Sequence, residues 1–240
     1  MSSYVKESTL AKLVNKQIVS WERAKKPLEE KLDELPRPFI TISREYGCDC
    51  TTICNIIAQK LNEYENIEEW QTYDKELINK IVEDHQISET LIQTIDTKKR
   101  EEISELMRSM LTDYPPQVTV YKKLVQTIRS LSVMGRSIIV GRAGVVITKG
   151  LKYGVHVKFV APFSNRVRKI MELNGIKDKG EAERLVENKD RERHSFLTQY
   201  IKFDAKDPVS YDITINIARF SPEQVADIII GILKAKGFTK

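Results

Sequence analysis

The chain has 240 residues, 41% hydrophobic and 30% charged, with a formal net charge of +5. That composition is too apolar for a disordered chain and fits one domain with a decorating subdomain, or two small domains. No run approaches the ~18 apolar residues that a membrane-spanning helix needs.

The opening MSSYVKESTLAK lacks the basic-then-apolar layout of a secretory signal. The three cysteines, Cys48, Cys50 and Cys54, are an odd number unsuited to a disulfide framework. A cytoplasmic protein with no membrane partner is expected. Residues 5–34 read as a helix, with Leu10, Val14, Ile18 and Trp21 at helical spacing, and Pro36 and Pro38 close that segment. Its apolar stripe is only partly masked by charge, so this extension, residues 1–36, is expected to dock on the body or on a second subunit, as in a homodimer.

Phe39-Ile40-Thr41-Ile42 follows as a short β-branched strand. After Ser43-Arg44-Glu45-Tyr46-Gly47-Cys48-Asp49-Cys50, a helical pattern resumes with Ile53, Ile56, Ile57 and Leu61. Residues 74–134 read as helical in several pieces, broken near His85–Ser88 and at Pro115-Pro116. Ser137–Val140 is an apolar strand ending in Gly141-Arg142-Ala143-Gly144, and Val155–Val160 is another. Residues 163–173 and 179–201 are helical by period. Tyr211–Asn216 reads as a last strand, and Ser221-Pro222-Glu223 opens a final helix with a serine N-cap and proline at its first position. Strands alternating with helices imply βαβ units and a mostly parallel sheet covered on both faces.

A strand feeding a helix through a glycine-containing turn presents unpaired N–H groups and a positive dipole end, the local chemistry of phosphate binding. A Walker A loop also needs a lysine and a hydroxyl after its glycines. Here Gly47 and Thr51 or Thr52 fit, no lysine follows, and Asp49 carries a negative charge where phosphate would sit. On these residues alone the segment is either a phosphate loop or a structural strand–helix turn. Asp74 most simply caps the next helix, and Asp212 reads as structural. A helix N-terminus close to the thiols is expected to lower the pKa of Cys48 or Cys50. Lys122-Lys123 and the scattered arginines form no patch interleaved with aromatics, so no nucleic-acid partner is expected.

Four short motifs in order, Ile42-Ser43-Arg44-Glu45-Tyr46-Gly47, Tyr73-Asp74-Lys75-Glu76-Leu77-Ile78, Gly141-Arg142-Ala143-Gly144 and Tyr211-Asp212 before Asn216, resemble the cytidylate kinase-like family, a branch of the P-loop nucleoside monophosphate kinases. The resemblance implies an α/β three-layer P-loop NTPase-like fold over residues 37–240. It has a central parallel sheet, a helical insertion at 74–134 and a helical lid at 179–206. It further implies transfer of the ATP γ-phosphoryl group to a (deoxy)nucleoside monophosphate such as CMP, with Mg²⁺ as cofactor and nucleotides as the small-molecule partners. The alternative is a catalytically impaired nucleotide or anion sensor on the same scaffold.

By that resemblance Arg142, Asp190 and Arg193 are the catalytic residues. Gly47, Cys50, Thr51 and Thr52 cradle the donor phosphates, with the Thr51 hydroxyl on Mg²⁺. Arg44 stands in for the missing lysine, and Asp74 and Arg191 lie near the phosphates. The chain departs from the family pattern at Cys48, Asp49 and Cys50, which replace Ser, Gly and Gly, and at Ala143, which replaces Asp. The family's earlier lid arginine falls near Val186.

Overall fold

A computed structural model of the chain describes residues 37–83, 119–141, 143–200 and 203–239. The expected N-terminal helix (1–36), the middle of the expected helical insertion (84–118) and Arg142 lie outside the described residues. In chain order the elements are β1 (Phe39–Arg44), α1 (Thr51–Glu65), β2 (Gln71–Tyr73), α2 (Lys75–Glu83), α3 (Thr119–Met134) and β3 (Ser137–Val140). They continue with α4 (Gly144–Ile147), β4 (Gly154–Val160), α5 (Phe163–Asn174), α6 (Lys179–Tyr200), β5 (Ile213–Asn216) and α7 (Pro222–Ala235).

The five strands form one sheet in the order β2-β3-β1-β4-β5, and every pairing is parallel. Parallel strands need crossover helices, which bury both faces and favour continuous β-branched runs. Phe39, Ile40, Thr41 and Ile42 are accordingly all buried. Ile40 and Ile42 join Val155, Val157 and Phe159 of β4 in a core closed by Ile53, Ile57 and Leu61 of α1 and Val225, Ile229 and Leu233 of α7. On the opposite face Ile139 and Tyr73 pack with α2 and α3 through Leu77, Ile78, Ile81, Val125 and Ile128. A third, smaller core joins α5 to α6 through Val167, Ile170, Ala182 and Val186. Val186 is fully buried there, so the position matched to the family's lid arginine serves helix packing.

The expected strand at 211–216 begins at Ile213, because Pro208–Ser210 forms a 3₁₀ turn whose cap, Asp207, accepts the Val209 N–H. β2 is an addition to the sequence reading: its register is set by β3 (Gln71↔Ser137, Tyr73↔Ile139). The final helix starts as expected. Ser221 Oγ accepts the Gln224 N–H, Gln224 Oε1 accepts the Ser221 N–H, and Pro222 occupies the first position. No described helix is long and apolar enough to cross a membrane.

Asp212 is structural. Its carboxylate accepts the His156 N–H and pairs with Lys236. The imidazole of His156 shares a hydrogen bond with Thr41 Oγ1 at 2.8 Å. Burial pushes this imidazole below its ordinary value near 6.5, Asp212 pulls it up, and Lys236 lowers it. The folded state therefore favours neutral His156. Its contribution to stability is complete above the ordinary histidine pKa and is lost as the pH falls below that value, where the unfolded chain takes up the proton more readily. Wild type and His156→Gln should accordingly differ less in urea midpoint at about pH 5 than at about pH 7; a constant difference would remove this titration from the stability of the fold.

Candidate phosphate site at the carboxyl end of β1

In the order β2-β3-β1-β4-β5 the chain moves outward from β1 to one edge, returns through β3, and then crosses β1 to build the other edge. The carboxyl end of β1 is thus the switch point of the sheet, where open α/β folds form a crevice. The loop Glu45–Cys50 lies there and leads directly into α1.

The loop is held from outside. Arg166, on α5, is only 8% exposed. Its Nε donates to Ala161 O at 3.2 Å and lies 3.4 Å from Glu45 Oε2. Its Nη1 donates to Tyr46 O at 3.0 Å and to Asp190 Oδ2. Asp190 Oδ1, from α6, accepts the Tyr46 N–H at 2.8 Å, and Glu45 Oε2 accepts the Ala161 N–H. Two carboxylates and two carbonyls thereby satisfy one buried guanidinium, as a desolvated charge requires. Gly47 has φ +88°, and a Cβ there would come within 2.7 Å of the Arg166 carbonyl oxygen. Only glycine fits both that backbone conformation and that close approach.

Arg44 and Arg193 meet beside this loop. Arg193 Nη1 donates to Arg44 O at 3.3 Å, and its guanidinium sits 5.2 Å from the centre of the Tyr46 ring. The Arg44 charge acts on the neighbouring Cys50 thiol, and the Arg44 side chain lies against Gly141, where any Cβ would collide with it. Burial, and next the Arg44 charge, push the Arg193 guanidinium below its usual value, with Asp190 opposing. Neither arginine forms a salt bridge with a described carboxylate. The N-terminus of α1 beneath them has no side-chain cap and no acidic residue in its first turn. Two guanidinium groups with no salt-bridged carboxylate among the described residues, over an uncapped helix start, have the chemistry that an anion site needs.

Of the residues expected from the sequence, Gly47, Cys50, Thr51, Thr52, Arg44, Asp190 and Arg193 are brought together here, with Thr51 and Thr52 exposed at the start of α1. The Asp49 carboxylate pairs with Lys169 Nζ of α5 at 3.0 Å. One expectation is corrected. The thiols are not activated. Burial, followed by the Glu45 charge, raises Cys48 to about 12. Cys50 is raised by burial against the pull of Arg44, and fully buried Cys54 lies well above its ordinary value. Desolvation here outweighs the helix dipole.

Asp74 does what its position between β2 and α2 suggests: its Oδ1 accepts the Leu77 N–H at 2.9 Å, a helix cap. Arg191 is exposed on α6. Sequence reasoning missed Arg166. The signal was its place among Phe163, Val167 and Ile170 on the helical period of α5, a charge on an otherwise apolar face.

A model of the cytidylate kinase-like family matches residues 39–219. The chain belongs to the cytidylate kinase-like family. A crystal structure of an uncharacterized protein from Eubacterium ventriosum superimposes with a TM-score of 0.60 at 20% identity, covering 83% of this chain and 99% of that one; the likeness is one of fold. A stretch of 93 residues is 26% identical to the uronate isomerase of Corynebacterium glutamicum, covering 39% of this chain and 18% of that protein. The chain thus spans less than a fifth of that relative. Membership in the cytidylate kinase-like family gives the chain a kinase-like scaffold, and the loop after β1 is where that scaffold carries this chain's convergent arginines.

Two outcomes follow from this geometry. Replacing Arg166 with Met should destabilise the fold by about 2–3 kcal/mol in urea unfolding, below the cost of breaking a fully buried pair because Glu45 and Asp190 are each about one-third exposed. Thiol labelling of the native protein at about pH 8 should be slow for all three cysteines and speed up only on unfolding; rapid native labelling of Cys48 or Cys50 would contradict the burial argument.

Proposed function

We propose that the protein transfers the γ-phosphoryl group of ATP to a (deoxy)nucleoside monophosphate such as CMP. The observation that supports this reading is the pairing of Arg44 and Arg193, without salt-bridged carboxylates among the described residues, over the uncapped start of α1. Phosphoryl transfer asks little covalent chemistry of a protein, and rate comes from in-line positioning and from fixed positive charge where the equatorial oxygens gain charge.

In this reading the N–H groups at Gly47, Thr51 and Thr52 cradle the donor phosphates. Arg44 and Arg193 neutralise the transferring group, and Arg142, which lies outside the described residues, holds the acceptor phosphate. Asp190 is a positioning residue, since both its oxygens are engaged by the loop and Arg166. The helix α6 acts as the lid that brings Arg193 to the donor. Thr51 offers an exposed neutral hydroxyl at the helix start, which suits Mg²⁺, an ion that keeps most of its waters and takes phosphate oxygens as its main ligands. Bound there with ATP, Mg²⁺ would supply charge neutralisation at the β- and γ-phosphates. The sensor reading is favoured by one feature, the loop that has Asp49 and lacks a lysine of its own.

An ADP-release assay with MgATP across CMP, dCMP, UMP and AMP tests the proposal: acceptor-dependent turnover is expected, and Arg193→Met should lower kcat/KM by about 100-fold. MgATP binding with no turnover on any acceptor would leave the sensor reading in its place.

A further inference from the structure

We infer that Lys169, reaching in from α5 and held by Asp49, supplies the phosphate-binding lysine that the loop itself lacks; this rests on the proposed binding of ATP at the start of α1. Lys169 Nζ lies 3.0 Å from Asp49 Oδ2, and both side chains line a cavity of about 290 Å³ that runs from Gly47 and Cys48 to Ala161 and the turn at Ile217-Ala218. Asp49 stands two residues before the first residue of α1, so the ammonium is anchored to the loop that leads into that helix.

The other charges around the cavity leave Lys169 in a distinct position. Arg166 is consumed by Glu45, Asp190 and two carbonyls. Arg168 is exposed, and Glu172 is the second carboxylate lining the cavity. Of these cations Lys169 is the one paired with Asp49, and Asp49 is its single salt-bridge partner among the described residues. The side chains of the pair are 34% and 36% exposed, and ion pairs that open to solvent add little to stability. A carboxylate in a phosphate loop is otherwise a pure electrostatic penalty. Holding a cation there gives it a purpose, because an ammonium has three donors: one stays on Asp49 and two remain for phosphate oxygens. Asp49 is thus a positioning residue and Lys169 the group that touches the nucleotide.

Two accounts of Asp49 make opposite forecasts. As a bare negative charge, its removal strengthens ATP binding; as the anchor of Lys169, its removal weakens it. The test is calorimetric titration of MgATP into the full-length protein and into Lys169→Met, Lys169→Arg, Asp49→Asn and the Lys169→Met/Asp49→Asn double variant, with melting curves of each nucleotide-free protein. Lys169→Met should weaken binding about 10-fold and Lys169→Arg less than about 3-fold, with melting unchanged. Asp49→Asn should weaken binding about 3-fold on its own and add nothing to Lys169→Met, the non-additivity of residues acting as a unit.

Wild-type binding that Lys169→Met leaves intact would overturn the inference while the ATP reading stands, as would tightening by Asp49→Asn in both backgrounds. A wild type that binds no MgATP would overturn both. If Lys169→Met does not fold, Lys169→Gln takes its place with the same expectations.

Discussion

A single buried guanidinium organises the region at the carboxyl end of β1. Arg166 is withdrawn from water almost completely, which is tolerable only because Ala161 O, Tyr46 O, Glu45 and Asp190 meet its donors. The partners come from three places: the loop after β1, the turn before α5, and α6. Because the cost of a partly satisfied buried charge is high, the network behaves as a unit. It fixes the path of the loop, presses Gly47 against the α5 backbone, and sets the height at which α6 passes over β1.

That placement decides where Arg193 goes. Arg193 lies three residues beyond Asp190 on the same helix, so anchoring one places the other, and the result is two arginines side by side above the start of α1. Both burial and mutual repulsion disfavour this arrangement in the absence of a counter-ion. The stability invested in Arg166 is what keeps it assembled. Such preorganisation is the form electrostatic catalysis takes, since donors already in position need no reorganisation when charge develops.

Much of the scaffold was legible in the sequence. The apolar runs of β1, β3 and β4 and the helical periods of α1, α5, α6 and α7 are local signals, and so is the Ser221 cap. β2 was not, since Gln71-Thr72-Tyr73 has no pattern of its own and becomes a strand only through pairing with β3. At the site, Arg44, Asp190 and Arg193 lie beside the loop after β1, while Arg191 is exposed on α6. The relations between them were not readable: Asp49 finds its partner on α5, and Arg166 finds its partners in the loop and on α6. The thiols show the same limit, because the helix start near them is visible locally while the burial that raises their pKa is a tertiary property.

The central place of β1 carries a kinetic cost for the chain that makes it. β1 is the first strand in sequence, yet its two neighbours are β3 and β4, so Ile40 pairs with Ile138 on one side and Val155 on the other. During synthesis the Phe39–Ile42 segment emerges with both hydrogen-bonding edges bare and stays so for roughly a hundred residues of further translation, since long-range parallel pairing can form only once the distant strands exist. A ribosome-bound fragment ending before β3 therefore displays a sticky apolar β-segment with no native partner, the kind of surface on which chaperones act.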